Sequence, residues 1–543
     1  MSLKEELQKL IAGEVLEDAE TLAKYSKDAS IYEITPQVVV FPKDTDDLKK
    51  LVKFASANNL SITVRSGGTD MSGGAVGESI VVDMTKYFNK IKEVGEGYAI
   101  TQPGVFYRDF EKETLAKGYL LPCYPASREI CTVGGMVSNN SAGEKTLSYG
   151  QTHDYVMELK MILSDGNEYT FTPLTKEQLG KKLSQKDFEG QIYKQVFELI
   201  DENYDLIKKA RPNVSKNSSG YLLWDVWNSE TFNPTQIFTG AQGTLGIVTQ
   251  IKFRLIKPKK YSKLLIIFLY NLNQLGEVVD KVLESKPESF ESFDDQTTKF
   301  AARFWMEIFK VIKPKNILSL GLSFIPEILM TLQYGFPKLI LMAEFTGDSL
   351  EQADQKAKQT QENIKAFHIQ SRVTTSEDDA RKYWVIRRES FNLFRHHAGG
   401  KHTAPFIDDL VVKPEVLPEF LPKLEKILEP YKKIMIYTIA GHVGNGNFHI
   451  IPLVDLTDMK IRQAIPQLSK KVYDLVFEYK GSMAAEHNDG LVRGPYLEQM
   501  YGEDIYQLFK KLKSIFDSKD IFNPHKKVDA TFEYSLNHIA KKN

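Results

Sequence analysis

Cysteine is scarce in this 543-residue chain, which contains only Cys123 and Cys131. Two thiols cannot build a disulfide framework, and they cannot supply the four thiolates of an iron–sulfur cluster. This composition suits a reducing compartment, so we predict a cytoplasmic protein in which both cysteines stay reduced.

Neither charge sign is in excess, because 70 Lys and Arg residues face 71 Asp and Glu residues. A dedicated nucleic-acid-binding protein should carry a basic surplus, so nucleic acid is excluded as a predicted partner. No run of about 18 apolar residues occurs, and no transmembrane helix is predicted. The charged start places Ser2 and Glu5 at capping-box spacing, which predicts a helix and not a signal peptide.

Glycine, by contrast, is concentrated in three segments, at 65–77, 125–150 and 239–249. The first follows a predicted strand at 61–64, which itself follows a helix that Thr45 is expected to cap. Glycine lets backbone N–H groups approach a ligand closely and form an anion site, although the spacing is not that of the dinucleotide-binding fingerprint. Three such segments predict one large cofactor that is held from several sides.

Two histidines, His442 and His449, flank a turn rich in glycine and asparagine. A buried strand is predicted at 434–439, so we expect His442 to close one strand and His449 to begin the next. Both imidazoles would then lie at one end of a sheet. Neutral imidazole is the commonest protein ligand for a transition metal, and the alternative is a pair of polar residues on a hairpin.

Two further stretches attract attention. Arg387 and Arg388 lie on a predicted helix, where a guanidinium fork could pair with a carboxylate or simply face solvent. The segments 304–312 and 317–336 are strongly apolar with few charges. They predict either a buried helical hairpin or an exposed platform for a membrane surface or a partner.

The three glycine-rich segments, RSGGTDMSGGAVG, PAS…CTVGGMVSNNSAG…YG and TGAQGTLGIVT, resemble the FAD-binding domain of the vanillyl-alcohol oxidase/p-cresol methylhydroxylase superfamily. The resemblance implies that the first segment wraps the FAD pyrophosphate and that the others bind the isoalloxazine and ribityl parts. Several members tether the flavin through a histidine in or near the first loop. This loop has Thr69 and no histidine, so non-covalent FAD is expected.

The cofactor-binding residues that the resemblance implies come from those segments and from the end of the chain, where FNPHK resembles the FNPGK-like end of the family. They are Arg65, Ser66, Gly67, Gly68, Thr69, Ser72, Gly73, Pro125, Ser127, Thr132, Gly134, Gly135, Asn139, Ser141, Ala142, Gly143, Gly243, Gly246, Ile247, Val248, Asn523 and Lys526.

The later half resembles FAD-linked oxidases of the glycolate-oxidase-subunit and D-lactate dehydrogenase type, since GHVGNGNFH is similar to GHxGDGNxH and EHNDGLVR to EHGDGLxR. The resemblance implies a divalent metal held by His442, His449 and Glu486, with Zn²⁺ expected and Mn²⁺ or Fe²⁺ as alternatives. Three residues depart from the pattern, and the substrate lysine that many relatives carry before Asp408 is absent. The departures are Asn445, Ile451 and Asn488.

The implied fold is α+β, with a two-part FAD-binding domain of the p-cresol methylhydroxylase type and an antiparallel-sheet substrate domain flanked by helices. We expect a helical segment at 1–35, the FAD-binding domain at 36–258, and the substrate and metal domain at 259–525. An apolar insertion at 304–336 interrupts the last of these. Residues 526–543 would form a C-terminal tail.

The implied activity is oxidation of a D-2-hydroxy acid, D-lactate-like, to the 2-oxo acid by hydride transfer to flavin N5. Arg387 would hold the substrate carboxylate, and His487 would take the hydroxyl proton. The electron acceptor would be a quinone, an electron-transfer flavoprotein, a cytochrome or oxygen, with peripheral membrane contact through 304–336.

Two alternatives stay open. One is a non-redox FAD enzyme of the alkylglycerone-phosphate synthase type, whose histidine-rich loop His396 and His397 partly match. The other is a non-catalytic FAD-bound subunit, which the departures at Asn445, Ile451 and Asn488 would fit.

Overall fold

The structure, a computed structural model, describes residues 1–312, 324–396 and 400–541. Within these residues the strands, in chain order, are β1 (Glu14–Leu16), β2 (Val38–Phe41), β3 (Ile62–Arg65), β4 (Ile80–Asp83), β5 (Ile91–Gly95), β6 (Tyr98–Thr101), β7 (Val156–Ile162), β8 (Glu168–Phe171), β9 (Leu174–Thr175), β10 (Thr231–Phe232), β11 (Ile247–Arg254), β12 (Tyr261–Leu269), β13 (Ser289–Asp294), β14 (Leu339–Gly347), β15 (Gln370–Val373), β16 (His402–Thr403), β17 (Leu410–Val411), β18 (Ile439–His442), β19 (Asn447–Ile450) and β20 (Leu453–Val454).

The helices lie around these strands, mostly with one apolar face turned to the core. Their bounds are Leu3–Leu10, Ala19–Tyr25, Thr45–Asn58, Tyr107–Ala116, Val133–Asn139, Thr146–Tyr149, Lys176–Leu183, Phe188–Glu202, Tyr204–Ala210, Thr235–Phe238, Leu275–Leu283, Asp295–Arg303, Trp305–Ile312, Ile325–Tyr334, Leu350–Asn363, Glu377–His396, Leu417–Leu428, Met459–Glu478, Gly490–Arg493, Leu497–Tyr501, Glu503–Phe516 and Phe532–Asn537.

The first sheet is four-stranded in the order β1-β2-β4-β3, with β1 antiparallel and the other strands parallel. Its central strands β2 and β4 are buried along their whole length, as is typical of strands covered on both faces. Helix Thr45–Asn58 packs on one face, and residues of helix Ala19–Tyr25 pack on the other. The cap predicted at Thr45 is wrong by one residue, because the Asp44 carboxylate accepts the N–H groups of Asp46 and Asp47.

The second sheet is five-stranded and antiparallel in the order β5-β6-β11-β7-β8. The Asp165-Gly166 turn between the runs at 156–163 and 168–171 predicts a hairpin, and the structure has it, with β7 and β8 paired from Ile162↔Glu168 to Leu159↔Phe171. The third glycine-rich segment leads directly into β11 at its centre. The first glycine-rich segment thus follows the edge strand β3 of the first sheet, and the third precedes the central strand β11 of the second.

The third sheet is seven-stranded in the order β15-β12-β14-β13-β18-β19-β17, and every pair in it is antiparallel. This confirms the antiparallel sheet expected in the later half of the chain. The sequence predicts helices at 275–283 and 352–367 between the strands of this half, and the structure has Leu275–Leu283 and Leu350–Asn363 there.

Two local predictions in the later half are wrong. The strand predicted at 434–439 lies later, since β18 begins at Ile439 and Ile436 makes only an isolated bridge to Leu453. The amphipathic pattern from Leu497 to Phe516 predicts one helix, but the structure has two, because Gly502 takes φ +80 between them. Strand pairing with β13 and β19 placed β18, and a residue pattern alone does not encode that pairing.

The apolar insertion is described only in part, because residues 313–323 lie outside the described ranges. Helix Trp305–Ile312 buries Ile308 and Ile312 against Ala301. Helix Ile325–Tyr334 buries none of its residues, so this part is not the buried hairpin considered above. Among the described residues, no helix combines the length and the low charge that crossing a lipid bilayer requires.

Candidate active site

A cavity of about 730 Å³ lies where the glycine-rich segments meet the end of the seven-stranded sheet. Its volume is typical of sites for cofactors and small molecules. The sequence-predicted residues that line it are Ser66, Gly68, Thr69, Pro125, Ser127, Gly134, Gly135, Asn139, Ser141, Ala142, Gly243, Gly246, Val248, Arg387, His442, His449, Glu486 and His487.

The glycine-rich segments bring glycine backbone as well as side chains to the cavity wall. Gly68 and Gly243 take φ +66 and φ +69, in the left-handed region that glycine favours. A Cβ at Gly243 would meet no atom within 4 Å, so a side chain there would occupy open space in the cavity. A backbone-lined cradle of this kind fits an extended, phosphate-bearing cofactor such as FAD.

Several of the predicted cofactor-binding residues do not line the cavity, and at least one of them holds its walls together. The Asn523 amide donates to the carbonyl oxygens of Gly74 and Gln242, both at 2.8 Å, and so joins the first and third segments. Lys526 is buried, and burial lowers its pKa to about 8 although Asp28 and Asp70 oppose that shift. The others that do not line the cavity are Arg65, Gly67, Ser72, Gly73, Thr132, Gly143 and Ile247.

The two histidines of the Gly/Asn turn meet Glu486 at the inner end of the cavity. His442 closes β18 as predicted, whereas His449 is the third residue of β19 and pairs with Ala440. Their ring centroids lie 5.3 Å apart, and His442 Nε2 lies 2.9 Å from Glu486 Oε1. One ligand atom from each of the three residues lies within 4.8 Å of the others, a spacing that could hold one metal ion.

A carboxylate contacts the Nδ1 atom of each histidine in this candidate metal centre, which consists of His442, His449 and Glu486. His442 Nδ1 lies 2.6 Å from Glu291 Oε1, and His449 Nδ1 lies 3.2 Å from Asp408 Oδ1. A carboxylate on Nδ1 fixes the ring and leaves Nε2 free as a ligand. The donor set therefore fits a divalent metal in both its ligands and their supports.

His487 lies beside this centre and points its own Nδ1 at Asp408 Oδ2, 2.7 Å away. Burial lowers its pKa, but Asp409 and Asp408 outweigh burial and raise the pKa to about 9. Asp409 Oδ2 also accepts the backbone N–H groups of Glu486 and His487, both at 2.7 Å. Asp408 and Asp409 thus position two neighbouring site residues and make the His487 imidazole strongly basic.

The charges of the centre are tightly paired. Burial raises the pKa of Glu486, but Lys216 and His442 outweigh it and hold that pKa well below its ordinary value. Burial likewise raises the pKa of Glu291, and His442 and Arg387 reverse the shift. Both glutamates are therefore carboxylates at neutral pH.

Arg387 lines the same cavity and shares the Glu291 carboxylate with His442, since its Nη2 lies 3.1 Å from Glu291 Oε2 while His442 Nδ1 contacts Oε1. Its Nε is buried and has no hydrogen-bond acceptor among the residues that the structure describes. Its neighbour Arg388 is engaged instead by Glu144, with two contacts of 2.6 and 2.8 Å. Of the two arginines, Arg387 has an unsatisfied donor available for a substrate carboxylate.

The two asparagine departures are part of the framework. The Asn445 amide donates to Ser215 Oγ at 3.0 Å. Asn488 takes φ +60, which glycine adopts freely and asparagine tolerates, and its amide donates to the carbonyls of Asn139 and Gly240. The third departure, Ile451, lines the cavity. Lys401, the nearest lysine before Asp408 in the sequence, does not line it. His397 lies outside the described residues.

Three residues of the centre were missed at the level of sequence: Glu291, Lys216 and, in its role of holding two histidines, Asp408. Glu291 and Lys216 lie 151 and 270 residues before their partners His442 and Glu486. Neither sits in a recognisable motif. The available sequence signals were the acidic Glu291 inside an apolar strand and Lys216 among small residues.

Comparison with known families gives two matches. The family described as FAD binding domain matches residues 36–172, and the family described as FAD linked oxidases, C-terminal domain, matches residues 258–527. The solved structure of 4-ethylphenol oxidase from Gulosibacter chungangensis has the same fold, with a TM-score of 0.69 at 15% identity over 98% of this chain and 97% of that one. The predicted α+β fold and its p-cresol methylhydroxylase-type domain are confirmed.

Curated relatives are similar at modest identity. The chain is 26% identical over 513 residues to D-2-hydroxyglutarate dehydrogenase of Escherichia coli (strain K12), covering 92% of this chain and 49% of that protein. It is also 26% identical over 536 residues to glycolate oxidase subunit GlcD of Bacillus subtilis (strain 168), covering 96% of each. The chain thus spans about half the length of the first curated relatives it matches.

Proposed function

The chain belongs to the FAD-linked oxidases, and on that premise we propose that it oxidises a small D-2-hydroxy acid to the 2-oxo acid with non-covalent FAD and a divalent metal. The observation that carries the proposal is the His442, His449 and Glu486 donor set, which lines one cavity together with Arg387. A metal beside an arginine suits a substrate that carries a hydroxyl and a carboxylate on neighbouring carbons.

Oxidation removes a hydride from the α-carbon and a proton from the hydroxyl, and leaves a carbonyl. Bound FAD supplies the two-electron acceptor, and a bound divalent cation, Zn²⁺ or else Mn²⁺ or Fe²⁺, supplies a Lewis acid that makes the hydroxyl more acidic. Arg387 pairs with the carboxylate through its free donor. His487, held by Asp408, takes the hydroxyl proton as general base.

We expect the substrate side chain to face Ala440 and Ile451, which line the cavity and lie two residues from the ligands His442 and His449. These apolar groups suit a short side chain such as the methyl of D-lactate. Arg388 is the nearest cation for a second carboxylate, and its pairing with Glu144 would have to open first. A substrate with one carboxylate therefore fits best. Since some relatives are named for D-2-hydroxyglutarate, which has two carboxylates, that acid should be tested beside D-lactate.

Anaerobic bleaching of the flavin tests this proposal directly. We expect D-lactate to bleach the flavin faster than L-lactate, glycolate or D-2-hydroxyglutarate. Arg387→Met should lower kcat/KM for D-lactate about a hundredfold, because a charge-assisted pair with the substrate is lost. Arg388→Met is the matched control and should change it by less than about threefold.

The other outcomes separate the alternatives. Bleaching by none of the acids, with metal and FAD both bound, would refute the oxidation of a 2-hydroxy acid and favour a non-redox FAD enzyme. Absence of both metal and bleaching would favour a non-catalytic subunit. Reoxidation of the bleached enzyme by a quinone, an electron-transfer flavoprotein, a cytochrome or oxygen then identifies the acceptor.

A membrane surface is the proposed neighbour of the helix Ile325–Tyr334. Glu327 anchors this helix through Arg372 and Lys382, whereas the apolar face points outward. That face repeats at helical spacing, and Leu332 is 79% exposed. Exposed Lys338 and Arg381 nearby are complementary to anionic lipid headgroups. The outward apolar residues are Ile325, Ile328, Leu329 and Leu332.

Vesicles containing phosphatidylglycerol test the proposed membrane contact. The triple variant Ile328→Ser, Leu329→Ser and Leu332→Ser should bind at least tenfold more weakly, because each lost apolar side chain removes buried area from the contact. A control triple, Leu115→Ser, Leu206→Ser and Leu350→Ser, removes exposed leucines elsewhere and should bind normally. Equal sedimentation of both triples with the vesicles would contradict a lipid-binding helix.

A further inference from the structure

Lys216 places a buried ammonium group directly against the metal-ligating carboxylate. Its side chain is 0% exposed, and Nζ lies 2.5 Å from Glu486 Oε1 and 3.4 Å from the Gly143 carbonyl oxygen. The same Oε1 lies 2.9 Å from His442 Nε2. The oxygen that would bind the metal is therefore already held by a cation.

The backbone around Lys216 keeps the ammonium at that position. Ser215 Oγ donates to the Asn445 carbonyl at 2.9 Å, and Ser218 Oγ accepts the backbone N–H of Asn488 at 3.1 Å. These bonds tie the lysine segment to both metal motifs. The backbone that carries Lys216 is therefore held beside the candidate ligands.

The centre needs such a charge because it is rich in carboxylates. Glu486, Glu291, Asp408 and Asp409 are all buried within it. A buried carboxylate without a counter-charge is strongly destabilising. Arg387 pairs with Glu291, and Glu486 contacts the Lys216 ammonium as well as the His442 imidazole, which a bound metal would need as a neutral ligand.

We propose that Lys216 is a built-in counter-charge that takes the place of the divalent cation at Glu486, keeping the metal-free site folded and making metal binding weaker and reversible. The inference rests on the proposed metal site. Two cations at one carboxylate oxygen repel each other, so the ammonium lowers the affinity of the site for a metal ion. The role is positioning and electrostatic, with no contact to substrate.

Zinc titration of the FAD-loaded, metal-free protein tests this inference. Lys216→Met should bind zinc at least tenfold more tightly than the wild-type protein, because it loses both the repulsion and the ion pair that competes with the metal. Its melting temperature without zinc should fall, and zinc should raise that temperature more than in the wild type. Lys216→Gln, which keeps a hydrogen-bond donor without the charge, should also tighten zinc binding.

Lys145→Met is the matched control, since Lys145 forms a partly buried ion pair with Glu288 away from the cavity lining. It should lower the melting temperature without changing zinc affinity. If Lys216→Met folds only when zinc is present, the counter-charge role is supported by that dependence.

Unchanged or weaker zinc binding in both Lys216 variants would overturn the inference while leaving the metal site intact. Absence of zinc binding in the wild type, together with its gain in Lys216→Met, would support the inference. Absence of zinc and manganese binding in all variants would overturn both the inference and the proposed metal site.

Discussion

Replacing His487 by alanine is expected to slow reduction of the bound flavin by a D-2-hydroxy acid about a thousandfold, within the range that a positioned general base contributes. FAD and metal should stay bound. Stopped-flow measurement of flavin bleaching under anaerobic conditions gives the rate directly.

The size of this effect follows from how His487 is held. Asp408 Oδ2 lies 2.7 Å from its Nδ1, so Nε2 faces the cavity with a high affinity for a proton. A metal bound at His442, His449 and Glu486 would lower that affinity by charge repulsion and free the base to act. Asp408 also holds His449, so the metal ligand keeps its support when the His487 imidazole is removed.

His402→Ala is the matched control, because His402 is exposed in the short strand β16 and does not line the cavity. It should reduce flavin at the wild-type rate. A His487→Ala enzyme that bleaches within about threefold of the wild type, with its metal content unchanged, would remove His487 from the role of general base.

Replacing Glu486 by glutamine is expected to have the second large effect, on both zinc affinity and stability. Zinc affinity should fall by about a hundredfold or more, because a neutral amide is a poor ligand for a divalent cation. The metal-free protein should also lose about 3 kcal/mol of stability, since Lys216 is left as a buried cation without its partner. Metal analysis and denaturant unfolding measure the two effects separately.

The variant Glu288→Gln separates the loss of a metal ligand from the loss of a lysine–glutamate ion pair. Glu288 loses a buried pair with Lys145 in the same way, but it does not line the cavity. This variant should be destabilised and should keep its zinc. The double variant Lys216→Met and Glu486→Gln should recover part of the lost stability, because neither charge is then left unpaired. Normal zinc content in Glu486→Gln would exclude Glu486 as a ligand.

Local patterns in the sequence predicted much of the architecture. The hairpin at β7 and β8, the helix Leu275–Leu283 and the capping box at Ser2 and Glu5 depend on neighbours a few residues apart, so residue spacing is enough to indicate them. Glycine-rich segments next to strands were visible for the same reason. Where pairing decided the element, as at β18, the sequence placed the strand too early.

The sequence by itself determined the ligand types of the candidate site: two histidines on a glycine-rich turn, a glutamate in a second motif and an arginine on a helix. Only the tertiary structure decided which charged side chains contact these ligands. Glu291 reaches His442 across the β13 and β18 pair, and Lys216 reaches Glu486 from a segment 270 residues earlier. Such contacts depend on how distant elements pack, and the cost of burying unpaired charge selects the partners only once the fold has brought them together.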